Sequence, residues 1–312
     1  MLRFLILFIL LASSAQAQHF PDRAMRMVVG FAPGGTTDIV ARIVAESMSK
    51  HFNQQIVVEN RGGAGGVPAA LVVLQVPANG YTLMLQSGGL NQAEALGTAL
   101  PFDAVDAWSP IGLVATSAIS LVVTNSLPVT KLRELQAYAK SSDTALRFGS
   151  PGVSLVSFLY AQELGIEVEE VRYRGTGAVL NDLIAGRVQA YAIALPGILA
   201  QIRAGSLRAI AIASDRRSQV MPDLLTTKEQ GFQNIISASW FGVVVKSGTP
   251  SDRRLVLAQA LNRTLQDAEV RRRLIEAGLD VAEEANPDSF DAMIREDRDR
   301  WRRVVERGNL NQ

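Results

Sequence analysis

The residues in this chain best suited to chemistry lie in short loops rich in glycine and hydroxyl groups. Phe31-Ala32-Pro33-Gly34-Gly35-Thr36-Thr37-Asp38 is the first of them. Two adjacent glycines let the backbone turn tightly and expose its N–H groups. Thr36 or Thr37 is suited to cap a following helix. The free N–H groups and the dipole at a helix start favour an anion. Glu59-Asn60-Arg61-Gly62-Gly63-Ala64-Gly65-Gly66 is a second glycine-rich loop, whose plainer reading is close helix–sheet packing. Ser87-Gly88-Gly89-Leu90-Asn91, Ser150-Pro151-Gly152-Val153-Ser154 and Tyr173-Arg174-Gly175-Thr176-Gly177 are of the same kind. Arg174 reads either as a cation for a ligand carboxylate or as a solvated surface residue. Jointly the loops outline a cleft for one small polar anion.

Other chemistries have little material. The chain has no Cys and 2 His. There is thus no disulfide, no thiol nucleophile and no thiolate metal site. His19 lies near the N-terminus and His51 at the polar end of a helical pattern, neither within a carboxylate cluster. A zinc site or a His-based triad is not expected, and the sequence calls for no metal and no cofactor. No G-x-S-x-G elbow or G-x-x-x-x-G-K-[ST] loop occurs. A lyase or isomerase acting on a carboxylate would need an acid or base in the cleft. Asp38 and Tyr173 are the titratable candidates there, and Asp38 is also well placed to stabilise a helix N-terminus.

The first seventeen residues add a location. Met1-Leu2-Arg3 is a short positive start, Phe4 to Leu11 an apolar run, and Ala15-Gln16-Ala17 a small-residue cleavage site. This is the pattern of a secretory signal peptide, with cleavage expected after Ala17. The apolar run is shorter than the ~20 residues that span a bilayer. The expectation is a protein released into a periplasm. Lys and Arg number 31 and Asp and Glu 30; loss of Arg3 with the signal leaves 30 of each. Nucleic-acid binding would call for a basic excess and is not expected.

The loops must be held by something, and the pattern around them is alternating strand and helix. Met25 to Phe31 reads as a strand, Asp38 to Phe52 as an amphipathic helix, and Gln55 to Glu59 as a strand. Val67 to Val76 reads as a helix and Tyr81 to Leu85 as a strand. The alternation resumes with a strand at Leu113 to Thr124 and continues to a strand at Leu207 to Ala213. One more strand follows at Phe241 to Val245. After Pro250 the pattern is helical: Arg253 to Asp267, Ala268 to Gly278 and Pro287 to Arg307. The last is dense in Arg, Asp and Glu, with Trp301, Val304 and Val305 marking its buried face. The expected fold is α/β, with mainly parallel sheets flanked by helices. No long linker appears, so two domains would be joined by crossing strands.

Six motifs in order carry a resemblance: V-V-G-F-A-P-G-G-T-T-D (28–38), V-V-E-N-R-G-G-A-G-G (57–66), A-N-G-Y-T-L (78–83), Y-R-G-T-G (173–177), A-G-S-L-R-A (204–209) and S-W-F-G (239–242). The chain resembles the Bug family, the exported solute-binding proteins of tripartite tricarboxylate transporters. That resemblance implies a two-domain periplasmic-binding-protein fold. Residues 1–17 would be the signal peptide, 18–120 plus 245–312 one domain, and 121–244 the other. Crossover strands would lie near Ile119–Thr124 and Ser239–Val245.

The resemblance also implies a ligand carboxylate gripped between the domains. Pro33, Gly34, Gly35, Thr36, Thr37 and Asp38 would form one jaw, and Ser150, Gly152, Val153 and Ser154 the other. Ser87, Gly88, Asn91, Tyr173, Gly175 and Thr176 would complete the walls. The ligand is expected to be a di- or tricarboxylate, an amino acid or a related organic acid. The implied partners are the permease subunits of such a transporter or a sensor protein, and the implied state is a monomer. A ligand-sensing or partner-binding protein without a transport role is the alternative. The chain departs from the family pattern in the second jaw. It reads S-P-G-V-S-L-V-S-F where a second Gly and a His are usual, and Pro151 removes one N–H donor. Arg174 stands where Lys is frequent.

Overall fold

Apolar five-residue runs alternate with amphipathic helices through most of the chain, and they form a parallel core sheet in each half. A computed structural model describes residues 20–150, 155–173, 176–218 and 220–308. In the first half, β1 (Met25–Val29) leads to α1 (Thr36–Phe52), and β2 (Ile56–Asn60) to α2 (Val67–Leu74). Next, β3 (Thr82–Ser87) leads to α3 (Gly89–Ala95), followed by the long strand β4 (Trp108–Thr124). The second half contributes α4 (Leu132–Ser141), β5 (Leu146–Ser150), α5 (Leu155–Leu164), β6 (Val168–Arg172) and α6 (Thr176–Ile184). It continues through β7 (Ala190–Ala194), α7 (Leu199–Arg203) and β8 (Leu207–Ile212). The chain returns in β9 (Ala238–Lys246) and ends in α8 (Ser251–Gln266), α9 (Ala268–Glu276), β10 (Asp280–Val281) and α10 (Pro287–Gly308).

Strand pairing divides these elements into two sheets that share β4. The first runs β2-β1-β3-β9-β4 with β10 beside β4, and β1, β2 and β3 are parallel. The second joins β6, β5 and β7, which are parallel, to the far end of β4, where β8 also pairs. Trp108 to Ala118 of β4 pair with β9, and Ile119 to Val123 pair with β7. The chain therefore passes between sheets at Ala118–Ile119. It passes back at Ile236–Ala238, where Ser237 donates its N–H to Ala213 O and accepts from Ile119 N–H.

β9 runs antiparallel to both β3 and β4. Helices cover both faces of the first sheet. Met27, Val29 and Leu85 pack with Val40, Val44 and Met48 of α1 and Leu257 and Leu261 of α8. On the other face Val28, Met84 and Val244 meet Ala69 and Val73 of α2 and Phe290 and Ile294 of α10. The second sheet is covered by α4 and α5 on one face and α6 on the other.

Several details differ from the sequence reading. The strand expected from Leu113 begins at Trp108, because β9 gives it a partner along that length. A helix starts at Gly89, so Leu90 and Asn91 are helical and not loop residues. The C-terminal helix ends against the second sheet and its helices. Trp301, Val304 and Val305 pack with Phe148, Leu155 and Tyr160.

Candidate functional site

Register decides where the loops point. Ser87, at the C-terminal end of β3, pairs with Phe241 near the start of β9, just beyond the return crossing. Ala194, at the C-terminal end of β7, pairs with Ile119 at the outward crossing. Because β1 and β2 are parallel to β3, and β5 and β6 to β7, the C-terminal ends of the parallel strands in both sheets face the two crossings. That is the crevice in which open α/β sheets bind ligands.

The first loop is exposed from Phe31 through Gly35, while Thr37 and Asp38 are buried. Gly34 has φ +81, a left-handed conformation that suits glycine. The N-cap of α1 is Gly35, with no side-chain cap; Thr36 and Thr37 are the first helical residues, which corrects the expectation that one of them caps. Asp38, in the first turn of the helix, braces the preceding loop instead. Its carboxylate accepts the Gly34 N–H at 2.9 Å, Arg42 Nε at 2.9 Å and Asn60 Nδ2 at 2.9 Å. Asn60 Nδ2 also donates to Phe31 O at 3.0 Å, which pins the loop's other end. Desolvation pushes the Asp38 carboxyl up, but the hydrogen bonds from Arg42, Gly34 and Asn60 together outweigh it and hold it below the usual carboxylate value. Asp38 is thus an ionised buttress at 3% exposure. The N–H groups that open α1 have no intrahelical acceptors, and they sit beside exposed backbone.

The second loop packs against the other two. A Cβ on Gly30 would lie 2.7 Å from Gly66 Cα, and one on Gly65 would lie 2.6 Å from Gly89 O. Glycine is needed at these contacts for close backbone approach. The three loops of the first sheet form one stacked wall. Ser87, Gly88 and Gly89 are partly exposed in it. Asn91 is turned away: it is buried, and its Nδ2 donates to Ile294 O at 3.1 Å and Asp297 Oδ2 at 2.9 Å.

In the second sheet Ser150 ends β5 and is buried, and its carbonyl accepts the Tyr173 N–H at 2.8 Å. The C-terminal ends of β5 and β6 are joined there. Tyr173 donates its hydroxyl to Asp182 at 2.7 Å, and Arg187 holds the other Asp182 oxygen. Burial and the Asp182 hydrogen bond push the Tyr173 hydroxyl up to about 12. Neither Asp38 nor Tyr173 is poised to trade a proton near neutrality. Pro151, Gly152, Val153, Ser154, Arg174 and Gly175 lie outside the described residues, as do the Thr176 side chain and the expected signal peptide. Among the described residues, no group of His, Asp and Glu is arranged to hold a metal.

A family profile described as "Tripartite tricarboxylate transporter family receptor" matches residues 40–310. The chain belongs to that family of receptors. It is 31% identical over 301 residues to Protein BugT of Bordetella pertussis, covering 95% of this chain and 92% of that protein. Against a UPF0065 protein from the TAR-I ttuE-ttuC' intergenic region of Agrobacterium vitis, identity is 32%, covering 93% of this chain and 86% of that protein.

Solved structures agree. The periplasmic binding protein BugD superposes with a TM-score of 0.79 at 29% identity, covering 93% of this receptor and 99% of that chain. MatC of Rhodopseudomonas palustris, with bound malate, gives 0.78 at 31% identity, covering 92% and 100%. The R. palustris protein Rpa4515, with adipate, gives 0.80 at 30% identity, covering 93% and 98%. The two-domain fold and the solute-receptor class are those of the family, whose members bind substrates and do not transform them.

Arg42 and Asn60, which brace Asp38 in this receptor, escaped the sequence reading. Asn60 stood inside the quoted Glu59–Gly66 motif, and Arg42 lies one helical turn after Asp38, the spacing of a helix ion pair. Asp297, beneath Gly88, also escaped, hidden among the charges of α10.

Proposed function

We propose that this receptor captures a small carboxylate in an extracytoplasmic space. One jaw is the head of α1, from Pro33 to Thr37, where backbone N–H groups meet the anion. The other is the loop from Ser150 to Ser154. Ser87, Gly88, Tyr173, Gly175 and Thr176 line the cleft between them. The observation that supports this most is Asp38. A buried carboxylate, paired with Arg42 and hydrogen-bonded by Gly34 and Asn60, shapes the exposed turn, while the first N–H groups of α1, at Thr36 and Thr37, have no intrahelical acceptors. Malate and adipate in related receptors favour a di-acid.

The first lobe would comprise 18–120 and most of the C-terminal region, and the second would follow from 121. The pivot would be the paired crossings at Ala118–Ile119 and Ile236–Ala238, which would place the second boundary just before β9. Ligand touching both jaws favours the closed form only by binding it better than the open one. The closed form would then be presented to the permease of a tripartite tricarboxylate transporter. A periplasmic location agrees with the N-terminal export pattern, and no described helix is long and apolar enough to cross a membrane.

Thermal unfolding of residues 18–312 against malate, adipate, citrate and their amides tests the ligand class. An acid at a hundred times its Kd adds about 2.7 kcal/mol of stability, a shift of several degrees at this size. A shift with an acid and none with its amide is expected. Equal responses to acid and amide would remove the carboxylate from the account.

A further inference from the structure

Directly under the Ser87–Asn91 segment lies a carboxylate that the ligand site does not use. Asp297, on α10, is 2% exposed. Its Oδ2 accepts Asn91 Nδ2 at 2.9 Å and Trp240 Nε1 at 3.1 Å. A Cβ on Gly88 would come within 3.2 Å of that same oxygen and of Trp240 Nε1, so Gly88 is glycine partly to let the loop rest on this pair. Trp240 belongs to β9, just beyond the return crossing. Arg300 lies 3.6 Å from Asp297 Oδ1 and donates its own N–H to Ile236 O in the crossing itself.

The helix carrying Asp297 then leaves the first lobe. At one end Phe290 meets Trp240 edge-on at 5.5 Å. At the other, Trp301, Val304 and Val305 enter the core of the second lobe, and Val304 O accepts Gln162 Nε2 of α5 at 3.1 Å. A buried charge is costly unless its hydrogen bonds are needed, and an apolar side chain would fill the same space. Here the two hydrogen bonds run to elements that must hold still or pivot: Asn91 at the head of α3 and Trp240 on the crossover strand.

We propose that Asp297 is a positioning residue: it seats the Ser87–Asn91 segment on the crossover strand and, through α10, ties that segment to the angle between the lobes. The inference rests on reading the space between the lobes as the binding cleft.

The test needs no ligand. The chain has no Cys, so cysteines introduced at exposed Val57 and Lys140, one on each lobe, will carry a single dye pair. Hydrogen exchange at residues 88–91 and the inter-lobe distance distribution are read in wild type, Asp297→Leu, Asp297→Asn and Trp240→Phe. Asp297→Leu is expected to speed exchange at 88–91 at least tenfold and to broaden or shift the distance distribution, with exchange in β1 and β2 unchanged. Asp297→Asn, which keeps an acceptor oxygen, should recover most of the protection. Trp240→Phe should show a smaller effect of the same kind, and it decides the matter if Asp297→Leu does not fold. Wild-type exchange at 88–91, or a wild-type distance distribution, in Asp297→Leu or, where that does not fold, in Trp240→Phe overturns the proposal. A wild-type protein that ignores malate and adipate would instead count against the carboxylate reading and leave this test standing.

Discussion

Asp38 shows how one buried side chain can shape an exposed turn from beneath. It accepts from the loop, from its own helix and from β2 at once. Since its folded pKa is depressed, its contribution to stability is present above the unfolded value near 4 and is lost as pH falls through the lower folded value. Asp38→Asn should therefore cost about 1–2 kcal/mol at pH 7. Melting curves from pH 7 to pH 3 are expected to show the two proteins converging below about pH 4; a constant gap down to pH 3 would show that the charge is not what matters. The glycines and threonines of this loop were legible from type and order alone. The bond from Gly34 to Asp38 was not, because it needs Gly34 in its left-handed turn, and that conformation is not written in the spacing.

At the scale of elements, most strands and helices of both sheets followed from periodicity, because strands such as β1, β3 and β7 are short apolar runs between turn signals. What periodicity could not show was contact between distant elements. The Ser87–Asn91 stretch reads as loop from its glycines, yet α3 begins at Gly89 because α10 supplies partners for Asn91. Gly242 in the S-W-F-G motif shows the same limit. A Cβ there would sit 2.1 Å from the Phe290 ring, so β9 and α10 meet only because the position is glycine. Gly242→Ala should cost about 3 kcal/mol, the upper end for overpacking a core, and lower the melting temperature by several degrees. A Gly242→Ala protein that melts with wild type would show that α10 is not held tightly on the sheet.

For the whole molecule, the register of β4 and β9 carries the account. It carries the C-terminal ends of β3 and β7, distant in the sequence, to the same two crossings. The family resemblance anticipated that architecture, while the span of α10 across both lobes was invisible, since its charge-dense sequence reads as an ordinary solvated helix. The central claim is that an acid is gripped at the head of α1. Gly35 has φ −78 and room for a side chain, the nearest atom to a new Cβ being Ala32 O at 3.5 Å. Gly35→Asp should therefore fold normally while placing bulk and negative charge in the anion's position. Calorimetric titration of wild type and Gly35→Asp with whichever acid gives the largest thermal shift is the most direct test. The account predicts saturable binding to wild type and at least a hundredfold weaker binding to a variant of equal melting temperature; equal affinity in the two proteins would contradict it.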